Sequence, residues 1–235
     1  MLLIRSLIFL LLQIVLTPIF STLALLTFPF PPLTRYRLIS SYARTMVWLL
    51  GVVCGIRYEV RGIENIPGEP CIVLCKHQSA WETLALQVIF PPQVWVLKRE
   101  LLWLPFFGWG LAMTSPIAIK RSDGKGAIKQ LLKQGKERLA QGFCVVIFPE
   151  GTRVPFGTRG KYKIGGALLA ASSGAPVVPV AHNAGRLWGR NAFSKHSGLI
   201  TMSIGKPIET KGLKAEEINA EVEAWIESEI QRLPH

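Results

Sequence analysis

Apolar positions along this chain follow two regimes. From residue 6 to residue 34 no charged side chain occurs, and Leu, Ile and Phe crowd the segment. Beyond residue 57, short apolar runs alternate with amphipathic segments, the pattern of an α/β domain. The runs predict strands at 57–61, 71–75, 94–98, 116–119, 143–148, 177–181 and 199–204, a mixed sheet of about seven strands. Helices are expected at 82–89, 126–141, 164–173 and 214–233. In the helix at 126–141, Ile128, Leu131, Leu132 and Leu139 fall near one stripe with the lysines mostly opposite, so this helix should pack on the sheet with a solvated cationic face. The helix at 214–233 points Ile218, Val222, Trp225, Ile226 and Ile230 inward and turns its glutamates mostly outward. It reads as a terminal cover for the sheet, with no chemistry of its own.

The first regime suits lipid, since about twenty apolar residues span a bilayer as a helix. Pro18 interrupts the run, and Pro29, Pro31 and Pro32 end it, so a hairpin held in one leaflet fits as well as a full span. A second apolar stretch at 45–56 follows an arginine-containing turn, which favours two membrane-associated helices over one. A cleaved signal peptide is the competing reading, because Arg5 precedes the apolar core. The run continues without a polar mature start, so a retained anchor is expected. The expected organisation is residues 1–56 as N-terminal membrane-associated helices and residues 57–235 as one catalytic domain.

Composition agrees with a membrane surface. Of the 235 residues 49% are hydrophobic, and the mean hydropathy is +0.32. The net charge of +12 is uneven, because residues 209–235 hold seven acidic side chains and three basic ones. A basic body beside an apolar anchor matches an anionic bilayer surface. No nucleic-acid motif accompanies the charge, so a nucleic-acid partner is not expected. The four cysteines, Cys54, Cys71, Cys75 and Cys144, lie inside apolar runs and read as buried thiols. Strand alternation puts Cys71, Cys75 and His77 on one face, but no fourth ligand lies nearby, and no metal site is expected.

Two strings carry candidate chemistry. In LCKHQSAWETL, His77 follows a strand and Glu82 falls in the first turn of the next helix. A carboxylate on one ring nitrogen fixes the tautomer and leaves the other nitrogen to take a proton from a hydroxyl. A glutamate at a helix start is also explained by capping alone. In VVIFPEGTRVP, a strand leads through Pro149 into a turn at Gly151, exposing Arg153 and turn N–H groups that suit a phosphate. Glu150 reads as support for that loop, and an ordinary hairpin turn is the plainer alternative.

Together these strings resemble the 1-acylglycerol-3-phosphate O-acyltransferase family of glycerolipid acyltransferases. That family carries a His-x4-Asp motif and then Phe-Pro-Glu-Gly-Thr-Arg, matched here letter for letter at 148–153. The string LKRELLWLPFFGWG at 97–110 resembles the family's second block, and APVVPVAHN at 175–183 its fourth. The resemblance implies that His77 is the general base for the sn-2 hydroxyl of a lysophosphatidate attacking a fatty acyl thioester. It implies that Lys98 and Arg153 hold the phosphate, with Gly151 and Thr152 shaping the loop. Pro179, and Pro105 with Phe106 in the second block, would border the acyl or donor site. It further implies a single-leaflet anchor and, without metal or bound cofactor, acyl-CoA or acyl carrier protein as co-substrate. Those donors are cytosolic, so the catalytic domain should face the cytoplasm, at the inner membrane if the source is bacterial; Arg35, Arg37 and Arg44 beside the anchor agree.

The chain departs from the family at one position, with Glu82 where aspartate is usual. The rival readings are an acyltransferase for another lyso-acceptor (a lysophospholipid, an ornithine-type lipid or a lipid A precursor) and a non-catalytic lipid-binding protein on the same fold. No Gly-x-Ser-x-Gly elbow occurs, which argues against hydrolysis.

Overall fold

The computed structural model describes residues 1–234. Seven strands form one mixed sheet, β1 (Ile56–Arg61), β2 (Ile72–Cys75), β3 (Gln93–Lys98), β4 (Ile117–Ile119), β5 (Cys144–Ile147), β6 (Val177–His182) and β7 (Gly198–Ile204), in the order β1-β7-β6-β2-β5-β3-β4. Strands β6, β2, β5, β3 and β4 run parallel, and β7 joins β6 antiparallel, with β1 parallel to β7. The expected seven strands are all present, each within a residue or so of its apolar run. Strands β2, β5 and β6 are buried at every position, as expected for parallel strands covered on both faces.

Helices α6 (Lys125–Ala140), α7 (Gly165–Ser173) and α9 (Ala215–Arg232) cover one face of the sheet, and the short α8 (Ala184–Leu187) follows β6. On the other lie α4 (Trp81–Ile89) and α3 (Ser41–Leu49), which ends in a π turn at Leu50–Cys54. From β2 the chain passes through α4 to β3, whereas from β5 it passes through α7 on the opposite face to β6. Strands β2 and β5 are neighbours, so their carboxyl ends form a topological switch point, where open α/β sheets bind ligands.

The N-terminal segment differs from expectation in detail. Pro18 does not break it: α1 (Leu2–Leu26) is one continuous helix containing that proline. The returning arm is the divided one, split into α2 (Pro32–Ile39) and α3. Helix α1 is long and apolar enough to cross a membrane by length and composition. Its buried residues, Ser6, Phe9, Ser21 and Ala24, face the rest of the protein. Phe9 packs edge-on against Trp188, the Ser6 hydroxyl accepts the Lys195 N–H at 3.0 Å, and the Lys195 ammonium lies 4.8 Å above the Trp188 ring. Near its other end α1 meets α5 (Phe107–Ala112) at Gly110, where a Cβ would lie 2.9 Å from the Ser21 hydroxyl. Helix α1 is thereby seated on the rest of the protein at both ends.

The four cysteines are free and buried. Cys71 and Cys144 touch at 3.4 Å between sulfurs, and the Cys75 thiol donates to the Lys76 carbonyl. Among the described residues no group of three or more His, Cys, Asp or Glu side chains is arranged to hold a metal ion.

Candidate active site

His77 lies two residues beyond the end of β2, and Phe148 directly follows β5. Because the strands are neighbours, the two rings meet face to face, with centroids 3.9 Å apart and planes 13° from parallel. Phe148 is thus one wall for the imidazole, and Glu82 fixes its rotation. The first turn of α4 brings the Glu82 carboxylate back across the Gln78–Ala80 turn, and Oε1 meets His77 Nδ1 at 2.8 Å. The same carboxylate accepts the backbone N–H groups of Gln78 and Ser79 at 2.8 to 3.1 Å, so it pins the turn that leads into the helix as well as holding the histidine. The extra methylene of glutamate relative to aspartate is accommodated without loss of contact.

Burial opposes ionisation of Glu82, which is fully inaccessible. The opposing groups, His182 first, then the His77 hydrogen bond and the Ser79 N–H, outweigh it and hold the carboxyl below its ordinary range. An ionised Glu82 makes Nδ1 the protonated nitrogen of neutral His77. Nε2 is then left as a base, with no partner among the described residues.

The FPEGTR segment grips the main chain of His77. Glu150 Oε2 accepts the His77 N–H at 2.9 Å, and the His77 carbonyl accepts the Val154 N–H at 2.8 Å. Between these anchors Gly151 takes φ +68°, and a Cβ there would lie 2.7 Å from the Lys163 ammonium, so the turn needs glycine. The loop holds Arg153 beside His77. Its Nε is buried without a hydrogen-bond partner, a donor left over in a site where buried donors are ordinarily paired.

A cavity of about 260 Å³ opens at these residues. His77, Lys98, Phe148 and Arg153 line it, and it continues between α1 and β3 past Phe20, Ala24, Leu84, Trp95, Leu97 and Leu111. The charged groups therefore gather at the histidine, and the wall beyond is mostly apolar, interrupted by Thr17, Ser21, Tyr42 and Thr114. Of the expected site residues, His77, Lys98 and Arg153 share this cavity; Lys98 is exposed at its rim, 4.0 Å from Glu100. Gly151, Thr152 and Glu150 belong to the loop behind it. Pro179 is elsewhere: it is buried where a Gly205 Cβ would meet it and Trp225, beneath α9 on the far side of the sheet. Pro105 and Phe106 are exposed outside the cavity, and the neighbouring Phe107 lines it instead.

Four side chains around the site were not singled out by sequence reasoning. Lys76, fully buried, places its ammonium 2.7 Å from Glu150 Oε1 and 2.7 Å from Glu227 Oε1. Tyr162 donates to the same Glu227 oxygen at 2.8 Å. Burial pushes the Glu150 carboxyl up, against the pull of Lys76 and the His77 N–H. His182, also fully buried, donates through Nε2 to the Lys76 carbonyl at 2.9 Å and accepts the Ala184 N–H at Nδ1. Its Nε2 is 3.8 Å from Glu82 Oε2. The available signal was position: a lysine and a histidine each at the end of a strong apolar run, where this sheet presents its ligand-facing groups.

The Acyltransferase family model matches residues 57–183. The 1-acyl-sn-glycerol-3-phosphate acyltransferase of Pseudomonas aeruginosa is 48% identical over 228 residues, covering 95% of this chain and 89% of that protein. The human 1-acyl-sn-glycerol-3-phosphate acyltransferase alpha is 30% identical over 180 residues, covering 75% of this chain and 64% of that one. The crystal structure of the 1-acyl-sn-glycerophosphate acyltransferase of Thermotoga maritima superposes with a TM-score of 0.83 at 22% identity, over 98% of this chain and 95% of that one, and shares the fold. With the family model over residues 57–183 and 48% identity across nearly the whole chain, the chain belongs to the acyltransferase family.

Proposed function

We propose that the chain transfers a fatty acyl group from an acyl thioester to the sn-2 hydroxyl of 1-acylglycerol-3-phosphate, giving phosphatidate. The observation that carries this reading is the shared cavity, lined by a carboxylate-bound His77, the cations Lys98 and Arg153, and a mostly apolar extension. His77 Nε2 takes the hydroxyl proton as the oxygen attacks the thioester carbonyl carbon, and Glu82 stabilises the imidazolium that forms. When the tetrahedral intermediate collapses, the C–S bond breaks and the thiolate recovers the proton from Nε2. No metal or cofactor enters these steps, and the donor is acyl-CoA or acyl carrier protein.

Arg153 and Lys98 hold the acceptor phosphate, and the unsatisfied Arg153 Nε supports that assignment. The apolar extension between α1 and β3 receives an acyl chain. The outward face of α1 leaves Leu3, Ile4, Leu7, Leu11, Ile14 and Val15 exposed, and the exposed Trp103 and Leu104 lie just before the exposed Phe107 that begins α5. Such a surface suits insertion into the cytoplasmic leaflet of a membrane, with aromatic residues at the interface. The acceptor is tested by measuring thiol release from acyl-CoA with lysophosphatidate, a lysophosphatidylcholine and a lyso-ornithine lipid in mixed micelles. The phosphate monoester should give the highest kcat/KM; a preference for either other acceptor would overturn this assignment.

A further inference from the structure

A lysine with no solvent access is costly unless its charge and its donors are matched. Lys76 is matched in charge by two carboxylates and donates to two oxygens. Its ammonium has three oxygens around it: Glu227 Oε1 at 2.7 Å and the Thr158 carbonyl at 3.2 Å, to which it donates, and Glu150 Oε1 at 2.7 Å, with which it forms an ion pair. The three lie on different parts of the chain: the FPEGTR loop, helix α9 and the segment after the loop. Lys76 directly precedes His77, and its own main chain is held on both sides, the N–H by the Val180 carbonyl and the carbonyl by His182. Consecutive extended residues face opposite sides, so His77 lines the cavity and Lys76 reaches behind the site towards α9.

Glu150 is the link. One of its oxygens meets Lys76, and the other accepts the His77 N–H. The carboxylate therefore orients the base and the Arg153 loop together, provided that it stays ionised and turned inward. Glu227 completes the arrangement from outside the family-matched region at 57–183, holding Tyr162 with the oxygen that meets Lys76. A second pair, Arg159 with Glu223, ties the same segment to α9 at the surface.

We propose that Lys76 is a positioning residue for acyl transfer, which with Glu227 holds Glu150 in the orientation that sets His77 and Arg153 relative to each other. It touches no substrate and acts through Glu150. The proposal rests on the transfer reaction above; wild-type turnover tests that reaction by itself, and the variants below are read relative to wild type.

The experiment compares kcat, KM and thermal unfolding for the full-length wild type, Lys76→Met, Glu150→Gln and the double variant, with lysophosphatidate and acyl-CoA. Lys76→Met leaves Glu150 buried without its cation, and kcat should fall at least ~30-fold with KM for acyl-CoA within about 3-fold. The amide oxygen that Glu150→Gln introduces can still accept the His77 N–H and needs no cation. The double variant should therefore recover roughly 10-fold of the loss, a coupling that separate structural damage at two sites does not produce. Should Lys76→Met fail to fold, the double variant is compared with Glu150→Gln, and kcat within about 3-fold is expected. The proposal is overturned by near-wild-type kcat in Lys76→Met. It is equally overturned by a double variant that folds with wild-type thermal stability yet stays at least about 30-fold below Glu150→Gln.

Discussion

Glu82 Oε1 lies 2.8 Å from His77 Nδ1, and the carboxylate that makes this contact has no solvent access. The anion and its reach are separate requirements, and two substitutions divide them. Glu82→Gln keeps the length, removes the charge and can present its N–H group to Nδ1, giving the wrong tautomer. It should lower kcat by roughly 10²- to 10⁴-fold. Glu82→Asp keeps the charge but falls short by a methylene, and should lose about 10-fold. Steady-state kcat of the three proteins checks this, and equal rates would remove the dyad from the mechanism.

Arg153 should act on acceptor binding. Its Nε is buried without a partner, so a phosphate gains a charge-assisted hydrogen bond worth about 1.5–3 kcal/mol. Arg153→Ala should raise KM for lysophosphatidate by about 10- to 100-fold, and Arg153→Lys less. Lys98 is exposed and shares its charge with Glu100 at 4.0 Å, so Lys98→Ala should have a smaller effect. A reversed order would reassign the phosphate to the rim.

His182 makes stability depend on pH. Burial lowers its pKa from the ordinary value near 6.5. Below that value the unfolded chain takes up a proton that the folded protein does not. Stability should therefore fall as pH drops from about 7 towards 5. Thermal unfolding in detergent across that range should show the slope in wild type and a flatter one in His182→Gln. Identical slopes would mean that His182 does not carry the effect.

The seating of α1 on α5 is tested at Gly110. A side chain there meets Ser21 within 2.9 to 3.3 Å, and both residues line the cavity. Gly110→Leu should destabilise the protein by about 1–3 kcal/mol through overpacking and lower turnover with long-chain acyl-CoA by narrowing the apolar extension. Unchanged stability and chain-length profile would show that α1 does not form this wall.

How much of this was legible in the sequence depends on the range of each interaction. Strands β2, β5 and β6 were visible because burial on both faces demands continuous apolar runs. His77, Arg153 and the Glu150 loop were visible because each is tied to its own strand end. Lys76 and Glu227 are 151 positions apart, and nothing local in either segment announces their contact. Glu227 read as one of several outward glutamates on an amphipathic helix, although it turns towards the buried lysine. Pro179 lies away from the cavity for a related reason: its motif fixes the strand, but not which face of that strand meets α9. Pro18 read as a break, yet a helix as long as α1, packed through Phe9 and Ser21 on either side of it, tolerates the lost hydrogen bond.

The central claim is that His77, held by Glu82, is the base that delivers a lysophosphatidate hydroxyl to an acyl thioester. Its most direct test is the initial rate of CoA release from a fatty acyl-CoA, with and without lysophosphatidate, by the purified chain and by His77→Ala of equal thermal stability. Acceptor-dependent release by the wild type, reduced at least ~10³-fold in His77→Ala, is the predicted result. Release that does not depend on lysophosphatidate, or that survives in His77→Ala, would contradict it.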